Sequence, residues 1–86
     1  MTVHHHCRVC GYDWGEPPWG ITGETPNFEI CPVCEVEAGY EDNSPESTRA
    51  YRASWLARGA PWADAEVPHD GLTTEERLRH VPAGFE

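Results

Sequence analysis

Four cysteines in two short pairs constrain this chain more than any other feature. They stand as Cys7-Arg8-Val9-Cys10 and Cys31-Pro32-Val33-Cys34, two C-x2-C units with twenty residues between them. Within each unit the two-residue gap lets a tight backbone knuckle aim both sulfurs at one point. Two knuckles brought together supply four thiolates in a tetrahedron. That arrangement suits zinc or a single iron, and the gap between the pairs matches the spacing of zinc sites. Cys7, Cys10, Cys31 and Cys34 are therefore the expected ligands of one shared ion. Disulfides and a thioredoxin-type redox dithiol are the competing readings. A reducing cytosol would keep the thiols free, and no βαβ pattern surrounds the pairs to support the second. The opening Met1-Thr2-Val3-His4-His5-His6 lacks the apolar stretch of a secretory signal, so a cytoplasmic location is expected.

A shared metal also answers a problem of stability. Only thirteen of the 86 residues are Leu, Ile, Val or Phe, and the formal net charge is −9. Such a composition usually leaves a chain disordered. Four Trp, three Tyr and the cysteines argue instead for a fold stabilised by something besides an aliphatic core. Structural zinc contributes about 10–16 kcal/mol of apparent folding energy, comparable with the whole net stability of a small domain. The same arithmetic excludes several functions. No apolar run approaches the roughly 20 residues of a spanning helix, and the acidic balance disfavours binding to nucleic-acid phosphates. The chain has no lysine for a phosphate-cradling loop and no Gly-x-Ser-x-Gly turn. Four thiolates would leave a metal without an open position for water, so no enzymatic activity is expected.

The choice between zinc and iron turns on charge. Between Arg8 and Arg49 lie nine carboxylates and no basic residue. An added electron would sit in that negative field, which depresses the potential of any iron centre there, although exposed charges are screened beyond about 10 Å. Zinc is the expected ion and iron the alternative.

Along the chain, residues 1–43 form the four-cysteine lobe, with short alternating apolar positions (Tyr12, Trp14, Phe28, Ile30) that predict a small β-ribbon. Gly11 follows the first knuckle, where a residue free to take positive φ lets backbone N–H groups point at sulfur. Glu35 stands at the matching place after the second, which predicts a different closure there, a short helical turn being one form. Trp19, in a loop by composition, is expected as a lid over the sulfurs or in the core. Residues 44–59 predict a helix of the same domain, with Ser44 as N-cap, Pro45 in the first turn and Gly59 at the C-terminal cap. Its packing face would carry Ala50, Tyr51, Ser54, Trp55 and Leu56, with Arg49, Arg52 and Arg58 elsewhere. Residues 60–86 read as an extended, loosely attached arm with a short helix from Thr74 to His80, capped by Thr73 and Glu76 and stopped by Pro82, and a frayed end from Ala83. His4, His5 and His6 are expected at a polar strand edge and not as ligands. His69 and His80 are expected as isolated surface residues.

Two resemblances arise at the knuckles. Cys7-Arg8-Val9-Cys10-Gly11-Tyr12 and Cys31-Pro32-Val33-Cys34 resemble the knuckles of rubredoxin, departing at Glu35, where rubredoxin has glycine, and in a shorter gap between the pairs. The chain is also similar to the cysteine-rich CPCC family of small bacterial proteins over roughly residues 7–59. The residues that carry this are Cys7 to Tyr12, Glu29-Ile30-Cys31-Pro32-Val33-Cys34, Tyr40-Glu41-Asp42 and Arg49-Ala50-Tyr51 through Gly59, with Val9 in place of the family's extra cysteine. The resemblance implies a metal ribbon plus helix and little about activity. The expectation from the whole reading is a small metal-bound α+β protein, with a rubredoxin-like or zinc-ribbon β-hairpin lobe, one packed helix and a short C-terminal helix. It would act as a protein-interaction module through its acidic and aromatic surface, with a basic partner such as a toxin. The alternative is a rubredoxin-type iron electron carrier.

Overall fold

The computed structural model describes residues 4–86. Its first helix, α1 (Pro45–Ala57), is set by its ends. Ser44 holds an extended backbone and its hydroxyl accepts from the Ser47 N–H at 3.1 Å, while the Ser47 hydroxyl accepts from the Ser44 N–H at 3.3 Å. Serine thus completes a reciprocal cap in which Glu or Gln is the usual third residue. At the other end Gly59 turns left-handed at φ +92°. Its N–H donates to the Leu56 carbonyl and the Ala60 N–H to the Trp55 carbonyl, both at 3.0 Å. This is the paired closure of a Schellman motif.

The packed stripe of α1 differs from the expected one. Thr48 and Trp55 are buried and Tyr51 and Arg52 half-buried, at the three- and four-residue spacing of one helix face, while Ala50, Ser54 and Leu56 face outward. The expectation held at Tyr51 and Trp55 but missed Arg52, because the knuckles present backbone carbonyls, which need donors. The Tyr51 hydroxyl donates to the Cys34 carbonyl at 2.9 Å. Arg52 donates to the carbonyls of Val9 at 2.6 Å and Arg8 at 2.8 Å. One helix therefore ties both knuckles together. The buried Thr48 hydroxyl has no hydrogen-bond partner. Replacing it with a methyl removes an unmet polar group at nearly constant shape. Thr48→Val is expected to raise stability by about 1 kcal/mol, read as an upward shift of the thermal midpoint.

The two knuckles repeat one another. Cys31 and Cys34 follow Cys7 and Cys10 by 24 positions, and the same offset relates their hydrogen bonds. Gly11 N–H donates to the Cys7 carbonyl and Glu35 N–H to that of Cys31, each at 3.0 Å. Cys7 N–H donates to Tyr12 at 2.8 Å, and Cys31 N–H to Val36 at 2.9 Å. Each pair of legs then meets in one isolated antiparallel bridge, His6 with Asp13 and Ile30 with Glu37. The expected β-hairpin lobe is reduced to these two bridges among the described residues. The legs cannot extend, because Gly15 at φ +77°, Phe28 at φ +58° and Gly39 at φ +93° turn the backbone out of the extended region just beyond the bridges. Glu35 also departs from expectation. It adopts φ +66°, the left-handed conformation of Gly11 at φ +82°, so the second knuckle closes as the first does.

The arm after α1 is fastened to the knuckles along its length. Ala63 and Asp64 donate their N–H groups to the Val33 and Pro32 carbonyls at 3.1 and 2.8 Å. The Trp62 ring meets Tyr12 edge-on at 5.9 Å. The second helix, α2 (Thr74–Leu78), carries the expected Thr73–Glu76 cap but ends two residues early. Inside it Arg77 is 2% exposed and grips Asp70 with two nitrogens, at 2.8 and 2.9 Å, and the Leu72 carbonyl at 2.9 Å. That grip holds the Asp70 carboxyl at a pKa of about 2. The C-terminal residues are not frayed: Arg49 donates to the Glu86 carbonyl and Arg52 to that of Phe85. No described helix is long and apolar enough to cross a membrane.

Candidate metal centre

The core of the molecule is built around sulfur. Among the described residues, the buried apolar ones are the four cysteines with Val9, Val33, Val36, Ala38, Trp55 and Val81. The knuckles aim all four sulfurs inward, and the four Sγ atoms lie within 4.8 Å of one another. Cys7 Sγ stands 3.7 Å from Cys34 Sγ and Cys10 Sγ 3.7 Å from Cys31 Sγ. A disulfide would place bonded sulfurs at about 2.0 Å, so the cysteines are unpaired thiols. A tetrahedron with metal–sulfur bonds of about 2.3 Å has an S···S edge of about 3.8 Å. The two 3.7 Å separations match that edge, the remaining sulfurs lie within 4.8 Å of one another, and the donor set suits a four-coordinate ion with no position left for water. The Val9 N–H reaches Cys7 Sγ at 3.4 Å, the kind of outer contact that orients a thiolate ligand.

Burial pushes the Cys10 and Cys34 thiols well up, whereas hydrogen bonds from the neighbouring thiols, Cys10 first, pull Cys31 down. Four sulfurs this deeply buried cannot all carry charge without a cation among them. The acid-rich setting read from the sequence is also modified by the fold. Arg52 lies across the Arg8 and Val9 carbonyls, on the backbone between two ligands, and Arg77 is buried beside the first knuckle. Were they charged, as metal-bound sulfurs are, Cys7, Cys10 and Cys34 would favour the Arg52 cation against a larger desolvation effect. Arg77 feels Cys10 and Cys31 in the same sense, after its stronger bond to Asp70. Arginine, distant in sequence, thus counters the local negative charge.

Comparisons with protein-family models, curated proteins and solved structures find no match to the chain. Its chemistry is therefore read from its own residues.

The other expected positions settle as follows. Trp19 is neither a lid nor part of the sulfur core. Its indole N–H donates to Asp42 at 2.9 Å and its face carries the Arg8 guanidinium at 3.7 Å. The Arg8 guanidinium also lies 4.2 Å from the Phe85 ring and donates to the Asp42 and Gly23 carbonyls. Asp42, counted among the surface carboxylates by sequence, is 2% exposed, and burial raises its pKa. It accepts from the Gly39 N–H at 2.8 Å, fastening the long loop to the segment after the second knuckle. His6 is half-buried and stacks on His80 at 4.9 Å, and His69 leans on Trp62 at 4.5 Å, so neither His80 nor His69 is isolated. Burial lowers the His6 pKa, with Asp13 acting against it.

Sequence reasoning placed Tyr51 on the packing face but missed its bond to the Cys34 carbonyl, and missed the roles of Arg52, Arg77 and Asp42 altogether. A usable signal was the replacement of every lysine by arginine. The guanidinium holds several acceptors at fixed angles, which suits carbonyls gathered at a knuckle.

Glu35 has a measurable consequence. An L-residue in the left-handed region costs about 1–2 kcal/mol relative to an unstrained backbone, and the side chain is exposed. Glu35→Gly is expected to stabilise the metal-loaded protein by about 1 kcal/mol, or roughly 4–8 °C in thermal midpoint for a domain of this size. An unchanged or lower midpoint would contradict the strain argument.

Proposed function

We propose that the four cysteines hold one zinc ion as a structural clamp, and that the clamped chain acts as a protein-interaction module for a basic partner, a basic toxin being one form. The observation that carries the first half is the meeting of four buried sulfurs within 4.8 Å of one another, two pairs of them at 3.7 Å. In this reading the protein is cytoplasmic, where thiols remain reduced, and is not an enzyme, since a filled tetrahedron activates no water. Kinship with the CPCC proteins belongs to the same proposal and rests on the motifs at residues 7–12, 29–34, 40–42 and 49–59.

Support for a basic partner comes from where the charges lie. Four of the six arginines, Arg8, Arg49, Arg52 and Arg77, spend their donors on backbone carbonyls or on Asp70. Most carboxylates remain exposed, and such a field steers cationic partners and makes association sensitive to salt.

Iron is the second reading, favoured by the repeated rubredoxin-like closure of both knuckles and by the two arginines beside the sulfurs. Elemental analysis of untagged protein decides between them. A colourless protein with one zinc per chain is expected. A red protein that bleaches on reduction would replace the structural reading with electron transfer.

A further inference from the structure

We propose that the face of the second knuckle around Phe28 and Ile30 docks a basic segment of another protein, one that carries an apolar anchor between its cations. This rests on the interaction reading above and gives it a place. The internal repeat supplies the argument. On the first knuckle the corresponding face is covered by the chain itself. His80 stacks on His6, and the Arg77 carbonyl lies so close to Gly11 that a Cβ there would sit 1.9 Å from it. The covering segment is Arg77-Leu78-Arg79-His80, basic with one apolar residue. On the second knuckle the counterparts of His6 and Gly11 are Ile30 and Glu35, and both are exposed, Ile30 at 53%. Among the described residues, one copy of the repeat is covered at these positions, by the Arg77 carbonyl and the His80 ring of an arginine-rich segment, and the other is open.

The open face has the properties of a docking surface. Phe28 is 63% exposed at φ +58°, a left-handed conformation uncommon for an aromatic residue, with its ring edge lying against Gly39. It borders a shallow groove of about 530 Å³ that Ile30, Trp14 and Val67 also line. Every charged residue of that groove is acidic: Glu16, Glu29 and Asp64. The adjoining hollow on the far side of Ile30 and Pro32 adds Glu35. An apolar floor with a wholly acidic rim selects a cationic segment with an apolar anchor over either property alone.

The test uses the full zinc-loaded chain and fluorescein-labelled peptides of eight residues, one alternating arginine with leucine and one alternating arginine with serine. The arginine–leucine peptide is expected to bind at least tenfold more tightly than the arginine–serine peptide. Phe28→Asn combined with Ile30→Thr should remove that preference, Asn being a residue that tolerates the left-handed backbone. Zinc content and circular dichroism verify that this variant is folded. If it is not, Glu29→Gln with Asp64→Asn decides, with an expected loss of fivefold or more. Equal binding of the arginine–leucine peptide to wild type and to a folded variant overturns the groove while leaving a basic partner intact. Failure of both peptides to bind wild type at low salt overturns the basic-partner reading itself, and the groove with it.

Discussion

Stripping the metal with a chelator is expected to abolish the helical circular-dichroism signal of this protein together with its buried tryptophan fluorescence. Among the described residues, four of the ten buried apolar ones are the cysteines themselves, so without an ion the core is largely a cluster of sulfurs whose charged forms repel one another and are poorly solvated. The remainder, four valines, one alanine and Trp55, is too small to fold a chain of 86 residues carrying a net charge of −9. Nor can α1 survive alone. At 13 residues it sits at the margin where isolated helices form in water, and its inward groups, Tyr51 and Arg52, are bonded to knuckle carbonyls that scatter once the sulfurs separate. The roughly 10–16 kcal/mol that structural zinc supplies exceeds or matches the ordinary net stability of a small domain. The transition should therefore be complete, with re-addition of zinc restoring the signal. Cys34→Ser is expected to lose the ion and the fold together, whereas a disulfide reductant should change neither. Retention of the helical signal in protein shown to be free of metal would refute the clamp.

What the sequence made legible, and what it did not, follows from the range of the interactions. The cysteine ligands were readable because a C-x2-C knuckle is a local geometry and thiolates have few other reasons to occur in such pairs. The boundaries of α1 and the start of α2 were readable because Ser44, Pro45, Gly59 and Thr73 act on backbone groups within a few residues of themselves. The inward face of α1 was readable only in part, at Tyr51 and Trp55. Its orientation is decided by carbonyls of Arg8, Val9 and Cys34, which lie up to 44 residues away and leave no trace in apolar periodicity. The β-ribbon was over-read for a related reason. Alternation at Tyr12, Trp14, Phe28 and Ile30 predicts strands, yet the left-handed residues that end each leg include Phe28, a residue whose type gives no warning of a turn. The arm was under-read because the contacts that fasten it to the knuckles are long-range: the Trp62 ring on Tyr12, and the Ala63 and Asp64 N–H groups on the Val33 and Pro32 carbonyls.

The sharpest consequence of the repeat concerns its two unequal closing residues. Gly11→Ala is expected to be among the most damaging single changes outside the ligands, and Glu35→Ala nearly silent, although both occupy the same left-handed position of the same turn. Two effects add at Gly11. A Cβ in that backbone conformation costs about 1–2 kcal/mol. It also meets the Arg77 carbonyl oxygen at 1.9 Å and its carbon at 2.8 Å, which forces the end of α2 away from the knuckle. Arg77 is buried and holds Asp70, so the displacement strains that pair as well, at a cost of about 1–3 kcal/mol more. At Glu35 the backbone cost is already present and an alanine merely shortens an exposed side chain. Gly11→Ala should therefore lower stability by about 3 kcal/mol, with the thermal midpoint falling by more than 10 °C, while the zinc stoichiometry of the folded fraction stays at one. The change should also raise hydrogen exchange in α2 before exchange in α1. Similar midpoints for Gly11→Ala and Glu35→Ala would mean that α2 does not press on the first knuckle. In that case glycine at position 11 answers only to the turn, and the difference between a covered and an uncovered copy of the repeat disappears.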